Sequence, residues 1–400
     1  MTKPQSMPLD GVRVIELATR TAGPFCATLL GEFGAEVIKI ELPGDGDPLR
    51  AMGTMSPAGV TYNFLNDNRN KKDISLDVRK AEGAEIFKQL VAHADIVIEN
   101  FRPGTLEKWG LGYDVLRAIR REIVLVRISA YGQDGPFSEQ PGVARIAYGY
   151  AGIAHLTGEP DGPPLLPGSS SMGDYAVGLY AAYGALLAYI HRQKTGEGQV
   201  VDATLYESVF RLLDELAPAY AGTGHVRQRT GSGHQYAVPN NHYLTSDKKW
   251  IVISCTAQKM FDRMMAVMGR QDLSEAHASP TSRKAARELI DGAVSAWVSQ
   301  RTREQVLQLC LDGGVTAGPI NDIADIFADP HYQARKTLVE FTDARAGKVV
   351  IPNVMPRLSA TPGSIKSIGA DIGQDNQEIF STLLGLSVEE MRELSKKKII

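Results

Sequence analysis

Cysteine is scarce in this chain of 400 residues, and the few cysteines are not grouped. Cys26, Cys255 and Cys310 lie far apart, are odd in number and form no CxxC pair or Cys/His cluster. That arrangement argues against a disulfide framework and a cysteine-based zinc site. We therefore expect three buried free thiols, as is typical of a protein in a reducing cytoplasm, and no bound metal.

Signals for export and for membrane insertion are also missing. The N-terminal letters MTKPQSMPLDG lack a basic segment followed by an apolar core, so they do not resemble a signal peptide. The most apolar stretch, 175–190, is shorter than a bilayer-spanning helix needs to be. A net charge of −3 favours neither nucleic acid nor an anionic membrane as a partner. These absences predict a soluble, cytoplasmic protein with no nucleic-acid or membrane partner.

Four common catalytic motifs are absent as well. No GxGxxG follows the first predicted strand, and no GxxxxGKS/T, HExxH or GxSxG occurs anywhere. A dinucleotide-dependent dehydrogenase, a P-loop ATPase, a zinc protease and an α/β-hydrolase each lose their main support.

The first half of the sequence alternates short apolar runs rich in β-branched residues with helical stretches. Strands are predicted at 12–17, 37–41, 96–99 and 123–128, with helices at 24–33 and 80–93. This alternation predicts an α/β fold built from parallel βαβ units. In such folds ligands bind where the strands end, so the loops at 18–23, 42–47, 100–104 and 129–135 are expected to form a site.

The remaining chain predicts a second, smaller domain. A Gly/Arg-rich stretch at 222–233 separates the first half from a strand at 250–255 and helices at 258–269, 282–299 and 303–313. The predicted organisation is a large α/β domain with a linker helix (1–222), a small α+β domain (223–320) and a C-terminal return to the large domain (321–400).

Asp174 stands where a Gly/Ser-rich loop meets a long apolar helix predicted at 175–192. Aspartate is a common helix N-cap, and capping alone explains its position. The positive end of the helix dipole also keeps a carboxylate ionised, and an ionised carboxylate can attack a thioester or a phosphate. The local sequence permits both a cap and a nucleophile and does not choose between them.

The ordered set of local motifs resembles the class III CoA-transferases, the group that includes formyl-CoA transferase and carnitine CoA-transferase. The segments that carry this resemblance are PLDGVRV (8–14), AGP (22–24), GAEVIKIE (34–41), NRNKK (68–72), DIVIENFRPG (95–104), YGQDGP (131–136), GD (173–174), KTGEGQ (194–199), GPI (318–320) and DPH (329–331). The resemblance implies a large Rossmann-like parallel-sheet domain, a smaller α+β domain and an interlocked dimer of identical or related chains.

The resemblance also implies a reaction. Asp174 would be the catalytic nucleophile, forming an aspartyl anhydride and then an aspartyl-CoA thioester while CoA moves from an acyl-CoA to a carboxylic acid. Such an enzyme uses coenzyme A as part of its substrates and needs no tightly bound cofactor. The stretch 142–148 and the region 223–243 resemble transferases that use succinyl-CoA with a dicarboxylic acid, which makes Arg145, Arg227 and Arg229 candidates to bind the distal carboxylate.

Individual residues take roles by the same resemblance. Those expected to contact coenzyme A are Thr21, Ala22, Leu76, Arg79, Asn100, Phe101, Arg102 and Lys108. Those expected near the substrate or in a mobile glycine loop are Tyr131, Arg145, Gly231, Gly233, His234 and Gln235. The sequence departs from formyl-CoA transferase at Leu42 and Ser129, where that enzyme has an arginine and a lysine, so the CoA pose is expected to differ in detail.

Two alternatives remain open. Acyl-CoA racemases share the motif set, but they carry a histidine and an aspartate where this chain has Val143 and Ala144, which removes one partner of a two-base proton transfer. A non-catalytic partner subunit of a heteromeric CoA-transferase is the second alternative, and retention of Asp174 argues against it.

Overall fold

The computed structural model of the chain describes residues 6–169 and 171–400. Residues 1–5 of the N-terminal segment, and Ser170 in the loop before Asp174, lie outside the described residues. The chain forms two compact units. Unit 1 comprises residues up to 153 together with 166–216 and 336–400, and unit 2 comprises 154–165 and 217–335. The predicted boundaries were 222 and 320, and the segment 154–165 was grouped with the large domain.

Unit 1 is built around a six-stranded parallel sheet in the order β3-β2-β1-β4-β5-β6. Its strands are β1 (Arg13–Glu16), β2 (Glu36–Glu41), β3 (Lys71–Ser75), β4 (Ile96–Glu99), β5 (Val124–Ser129) and β6 (Val200–Thr204). The order reverses between β1 and β4, and loops that leave neighbouring strands in opposite directions open a crevice there. The predicted α/β fold class is confirmed.

Strand β3 was not predicted, because its sequence KKDIS is mostly charged. Lys71 and Asp73 are nevertheless buried, and Lys71 forms an ion pair of 2.7 Å with Glu16 of β1. Paired charges here occupy positions that apolar side chains usually fill in a parallel sheet. The sequence therefore lacks the apolar run by which a buried strand is normally recognised.

Helices cover both faces of this sheet. They are α1 (Ala22–Gly31), α2 (Tyr62–Asp67), α3 (Ala81–Val91), α4 (Thr105–Lys108), α5 (Tyr113–Ile119), α6 (Ala144–Tyr150), α8 (Met172–Thr195) and α9 (Leu205–Phe210), with a 3₁₀ turn at Pro48–Ala51. Two more helices, α7 (Ile153–Leu156) and α10 (Leu216–Thr223), lie where the chain passes from one unit to the other.

Helix α8 starts three residues before its predicted beginning and ends at Gly196, whose φ of +72° favours glycine. It packs closely on α1, since a Cβ on Gly178 would lie 2.9 Å from the Ala22 carbonyl oxygen. This contact fixes the start of α8 against the loop that follows β1.

Unit 2 has its own apolar core, which includes Phe261, Met264, Val294 and Trp297. An antiparallel sheet consists of β7 (Asn240–Leu244), β8 (Trp250–Ser254) and β9 (Ala317–Pro319). The helices are α11 (Gln258–Met268), α12 (Gln271–Ala276), α13 (Pro280–Ala285), α14 (Arg287–Val298), α15 (Arg303–Asp312), α16 (Ile323–Ala328) and α17 (Pro330–Ala334).

The C-terminal segment belongs to unit 1. It contains the hairpin β10 (Leu338–Asp343) and β11 (Gly347–Pro352), followed by α18 (Asn376–Leu384) and α19 (Val388–Lys396). Ile399 and Ile400 are buried in the same core cluster as Ile15 and Val97 of the sheet.

The cysteines, the metal-ligating side chains and the longer helices were each the subject of a prediction from the sequence. Cys26, Cys255 and Cys310 are free and buried, as predicted. Across residues 6–169 and 171–400, His, Cys, Asp and Glu form no group of three or more suited to hold a metal ion. None of the helices in that part of the chain combines the length and the apolar character that a membrane crossing requires.

Candidate functional site

The loops at the carboxyl ends of β1, β4 and β5 converge on the first turn of α8 and form a cavity of about 480 Å³. It is lined by residues 19–22, Met52, Asn100, residues 128–130, residues 142–145, Ser171, Asp174 and Leu205. Thr21, Ala22, Asn100, Arg145 and Asp174, which were predicted separately, therefore lie around one space.

A second cavity, of about 320 Å³, adjoins the first and shares Asn100, residues 129–130 and residues 142–143 with it. Phe101, Arg102 and Pro103 line only this second space. Because they share these residues, the two cavities lie side by side at the carboxyl ends of β4 and β5. A carboxylate (Asp174) on the wall of one cavity and an arginine (Arg102) on the wall of the other could contact different parts of one elongated anionic ligand.

Asp174 is not the N-cap of α8, so the capping interpretation is wrong. The N-cap is Ser171, and Asp174 lies in the first turn of the helix. The turn is fixed by the Gly173 N–H, which donates to the Tyr148 hydroxyl oxygen over 2.7 Å. A Cβ on Gly173 would lie 3.0 Å from Tyr148 Cε1, so glycine allows this close approach.

The environment of Asp174 shifts its acidity. The pKa of Asp174 is raised to about 6, chiefly because burial disfavours the charged carboxylate, while Arg20 lowers the pKa and Asp67 raises it. The helix dipole was expected to keep the carboxylate ionised, but desolvation outweighs it. With that pKa, roughly nine tenths of the carboxyl groups are ionised at pH 7. Asp174 is thus both charged and more basic than an ordinary aspartate.

Asp67, the residue that adds to this shift, was missed in the sequence. It is buried beside α8, where one carboxylate oxygen accepts a hydrogen bond of 3.0 Å from the Tyr175 hydroxyl. Burial also raises the pKa of Asp67. Only the packing of α2 near the start of α8 brings this second carboxyl group close to Asp174.

Asn100 joins two loops of the site. Its Oδ1 accepts from the Thr19 N–H over 2.9 Å, and its Nδ2 donates to the Thr19 carbonyl oxygen over 2.8 Å. The loop after β4 therefore fixes the loop after β1, immediately before Thr21 and Ala22. The side chain predicted to contact coenzyme A also holds the cavity wall in place.

Arg20 was not predicted, although it lines the cavity with Asp174. Its backbone has a φ of +66°, and its N–H donates to both carboxylate oxygens of Asp47 over 2.9 and 3.1 Å. The available signal in the sequence was a cationic residue just after the first strand, at the edge where ligands bind.

The other predicted coenzyme A contacts lie outside the two cavities. Leu76 is 1% exposed and belongs to the core cluster of the sheet. Arg79 is exposed and forms an ion pair of 2.7 Å with Asp77. Lys108 is exposed at the end of α4. Their roles toward coenzyme A stay predictions.

Tyr131 lies in a third space, of about 180 Å³, on unit 1. Its ring packs edge to face against Tyr150, with centroids 5.2 Å apart, and Phe137 and Tyr206 complete an aromatic cluster. This arrangement does not place Tyr131 on the wall of the Asp174 cavity.

The predicted glycine loop, 231–235, belongs to unit 2. Arg287 donates to the His234 carbonyl oxygen over 2.8 Å, and His234 Nδ1 accepts from the N–H groups of Tyr236 and Ala237 at 3.1 and 3.2 Å. Gly231 has a φ of +61°, and Gly233 and Gln235 line a cavity of about 370 Å³ within unit 2. One ring nitrogen of His234 is thus engaged in shaping the loop.

Of the arginines considered for a distal carboxylate, Arg145 is exposed on the cavity wall. Arg229 instead donates to the carbonyl oxygens of His155 and Glu159 within unit 2, at 2.7 and 3.2 Å. Through these contacts the Arg229 guanidinium links two segments of unit 2, residues 155–159 and the chain around residue 229.

Comparison with known proteins places this geometry in context. The model of CoA-transferase family III matches residues 9–376. The succinyl-CoA–L-malate CoA-transferase beta subunit of Chloroflexus aurantiacus is 47% identical over 399 residues, which cover 99% of this chain and 98% of that protein. The alpha subunit from the same organism is 44% identical over 402 residues, covering 100% and 94%. A CAIB/BAIF family protein from Brucella suis has a solved structure with a TM-score of 0.85 and 33% identity, covering 95% of this chain and 100% of that one.

Proposed function

The chain belongs to CoA-transferase family III, as its motifs had indicated, and on that premise we propose that it moves coenzyme A from succinyl-CoA to a dicarboxylic acid such as malate, with Asp174 as the covalent nucleophile. The single observation that carries the assignment of Asp174 is its place on the wall of a cavity at the carboxyl ends of the strands, with a carboxyl group that is ionised but poorly solvated. The similarity to succinyl-CoA–L-malate CoA-transferase subunits supports the choice of substrates.

The first half of the proposed reaction loads coenzyme A onto the enzyme. The Asp174 carboxylate attacks the thioester carbonyl carbon, the C–S bond breaks, and CoA thiolate leaves a mixed anhydride behind. The thiolate then attacks the Asp174 carbonyl carbon, which releases succinate and forms an aspartyl-CoA thioester. No net proton is taken up or released, so no additional acid or base is needed.

The second half mirrors the first. The acceptor carboxylate attacks the aspartyl thioester, CoA thiolate leaves, and a second anhydride forms. Attack of the thiolate on the acceptor carbonyl carbon yields the new acyl-CoA and restores the Asp174 carboxylate. A raised pKa helps the initial attack, because a more basic carboxylate is a better nucleophile, provided that it remains ionised.

The tetrahedral oxyanions of this reaction need hydrogen-bond donors, and backbone N–H groups near Asp174 are candidates for that role. The Gly173 N–H is already bound to the Tyr148 hydroxyl, so Gly173 is not available for that task. Tyr148 is a positioning residue in this proposal, because it fixes the first turn of α8 rather than contacting the substrate.

Racemisation receives no support from the site. Val143 and Ala144 line the cavity where the resemblance to racemases requires a histidine and an aspartate. Valine and alanine side chains cannot exchange protons with the α-carbon of an acyl-CoA.

The assembly in the proposal is an interlocked dimer of identical chains or of this chain with a related one. Helix α8 supports a partner, since Leu179, Tyr183, Leu187 and Ile190 are all exposed, Tyr183 at 61%. Similarity to both an alpha and a beta subunit supports the heteromeric version. Light scattering of the purified chain tests this point, and a monomer that transfers CoA would contradict it.

A trapping experiment tests the reaction. The protein is incubated with succinyl-CoA and a panel of mono- and dicarboxylic acids, then treated with hydroxylamine or borohydride and digested. We expect modification of the peptide that contains Asp174 and CoA transfer to the dicarboxylic acids. Full transfer by Asp174→Ala would overturn the mechanism, and α-proton exchange in D2O without an acceptor acid would favour the isomerase.

A further inference from the structure

Two arginines on the wall of the Asp174 cavity have guanidinium groups without a hydrogen bond or ion pair to any of the residues 6–169 and 171–400. They are Arg20, from the loop after β1, and Arg145, from the first turn of α6. Both are exposed. An unpaired guanidinium beside a nucleophile is available to an anionic ligand, and its planar donors fit a carboxylate with two hydrogen bonds.

The backbone of Arg20 is held in an uncommon conformation. Its φ of +66° lies in the left-handed region, which a glycine or an asparagine adopts at lower cost than an arginine. Both oxygens of the buried Asp47 bind the Arg20 N–H, and Lys39 Nζ donates to Asp47 over 2.8 Å. An arginine side chain on a backbone of this uncommon conformation points to a role at the site.

The residue before Arg20 is fixed as well. Asn100 binds both backbone polar groups of Thr19, at 2.9 and 2.8 Å. Two successive residues are therefore anchored to different elements of unit 1, and the root of the Arg20 side chain is preorganised. Arg20 is also near enough to Asp174 for its positive charge to oppose the rise in the pKa of that carboxyl group.

Charge balance indicates which anion fits. Among the residues that line this cavity, Arg20, Arg145 and Asp174 are the ionisable ones. With Asp174 ionised, one positive charge is in excess, which matches the free carboxylate of a succinyl thioester. Once Asp174 carries coenzyme A it is neutral, and the two positive charges match a dicarboxylate dianion as acceptor.

We propose that Arg20 binds the carboxylate of the acyl group that does not react, and thereby selects dicarboxylic over monocarboxylic acyl groups. This role rests on the proposed function. Arg145, which the resemblance suggested for the same task, is the competing residue. Arg20 is favoured because its backbone is fixed from two sides and its charge acts on Asp174.

Exchange of labelled CoA into an acyl-CoA tests the role without an acceptor acid. Asp174 takes the acyl group as an anhydride and expels CoA, and labelled CoA thiolate then attacks the acyl carbon and restores Asp174. Rates are compared for succinyl-CoA and butyryl-CoA, which have similar chain lengths but differ in the terminal carboxylate. A pH near 8 keeps Asp174 ionised in every variant, so a change in its acidity cannot mimic a change in specificity.

We expect Arg20→Gln to slow exchange with succinyl-CoA roughly 10- to 100-fold, the loss typical of a charged hydrogen-bonding partner, and to change butyryl-CoA exchange less than about threefold. Arg20→Lys is expected to fall between, since it keeps the charge but loses the planar donor pair. Arg117→Gln is the matched control, because Arg117 pairs with Glu197 on the surface of α5. It should match the wild type with both esters.

The outcomes are distinguishable. Equal losses with both esters in Arg20→Gln, or a selective loss only in Arg145→Gln, would overturn the role of Arg20. A wild type that exchanges butyryl-CoA better than succinyl-CoA would also overturn it. A wild type that exchanges label with neither ester and transfers no CoA from succinyl-CoA to a dicarboxylic acid would contradict the proposed function itself. If CoA is transferred without exchange of label, the ratio of the transfer rates from the two esters replaces the ratio of the exchange rates. If thermal melting shows that Arg20→Gln is unfolded, the test uses Arg20→Lys instead. A ratio of succinyl-CoA to butyryl-CoA exchange equal to that of the wild type would then overturn the role of Arg20.

Discussion

Two of the buried acidic side chains in unit 1, Glu16 and Asp47, are fully paired, whereas the carboxylate of Asp174 is not. Glu16 and Asp47 are buried around Lys39, whose Nζ donates to each of them over 2.8 Å. Asp174 is only half-buried, and its carboxylate accepts no hydrogen bond from residues 6–169 and 171–400. Full pairing makes a carboxylate part of the scaffold, whereas partial desolvation without a partner leaves its lone pairs available for chemistry.

The paired carboxylates also help to build the cavity in which Asp174 lies. They hold the backbone of Arg20 through Asp47, and Arg20 shares the cavity with Asp174. A fully paired network thus positions the backbone of a residue whose own side chain is unpaired within the described part of the chain. The same separation is common in active sites, where reactive groups depend on supporting groups for their orientation.

Replacing Asp174 should have the largest effect. We expect Asp174→Asn to lower CoA transfer at least roughly 10⁴-fold, since an amide cannot form the anhydride and loss of a covalent nucleophile typically costs this much. Steady-state transfer from succinyl-CoA measures it. The control is Asp114→Asn, an exposed aspartate in the first turn of α5, which should retain full activity. A loss below about tenfold in Asp174→Asn would mean that another group reacts.

Replacing Asp47 should affect stability instead. Asp47→Ala leaves Lys39 buried with one anionic partner fewer, and breaking a buried pair of this kind costs about 3 to 5 kcal/mol of unfolding free energy. Urea denaturation monitored by circular dichroism measures the change. A loss under about 1 kcal/mol, the range of surface ion pairs, would show that the network is not part of the scaffold.

Asp174→Asn should stabilise the protein while it inactivates it. A folded-state pKa raised from 3.8 to about 6 means that ionising Asp174 disfavours the folded state. The wild type therefore loses stability as the pH rises toward and through 6, by about 2 to 3 kcal/mol at most. Relative to the wild type, the variant should gain that amount at pH 7.5 and nothing below pH 4. Melting curves at both pH values measure it, and an equal effect at both would contradict the shifted pKa.

The smallest expected effect is on the pH profile. The rate of CoA exchange should fall about tenfold per pH unit below the pKa of Asp174, near 6, because the protonated carboxyl group does not attack. Since Arg20 lowers that pKa, Arg20→Gln should move the acid limb to higher pH. A limb near pH 4 in the wild type would show that Asp174 is solvated like an ordinary surface aspartate.

Several predictions from the sequence were confirmed because they depended on local patterns. The four strands predicted in the first half and the helices between them follow apolar periodicity, and all are present within a few residues. Strand β3 was not predicted, because its buried positions hold Lys71 and Asp73, and the burial of Lys71 depends on an ion pair with Glu16 of another strand. Arg20 and Asp67 were not predicted as site residues for a related reason. Nothing near them in the sequence shows that the fold brings them close to Asp174.

The sequence by itself determined the α/β fold and the family, and it singled out Asp174 as the candidate nucleophile, because ordered motifs and apolar periodicity are properties of the chain alone. It could not determine the state of that residue. The capping interpretation proved wrong for Asp174, and its pKa is raised by burial although the helix dipole alone would lower it. Burial, the distance to Arg20 and the proximity of Asp67 decide its acidity, and these arise only when loops from separate strands meet. Desolvation and charge act through space, so tertiary structure decided them.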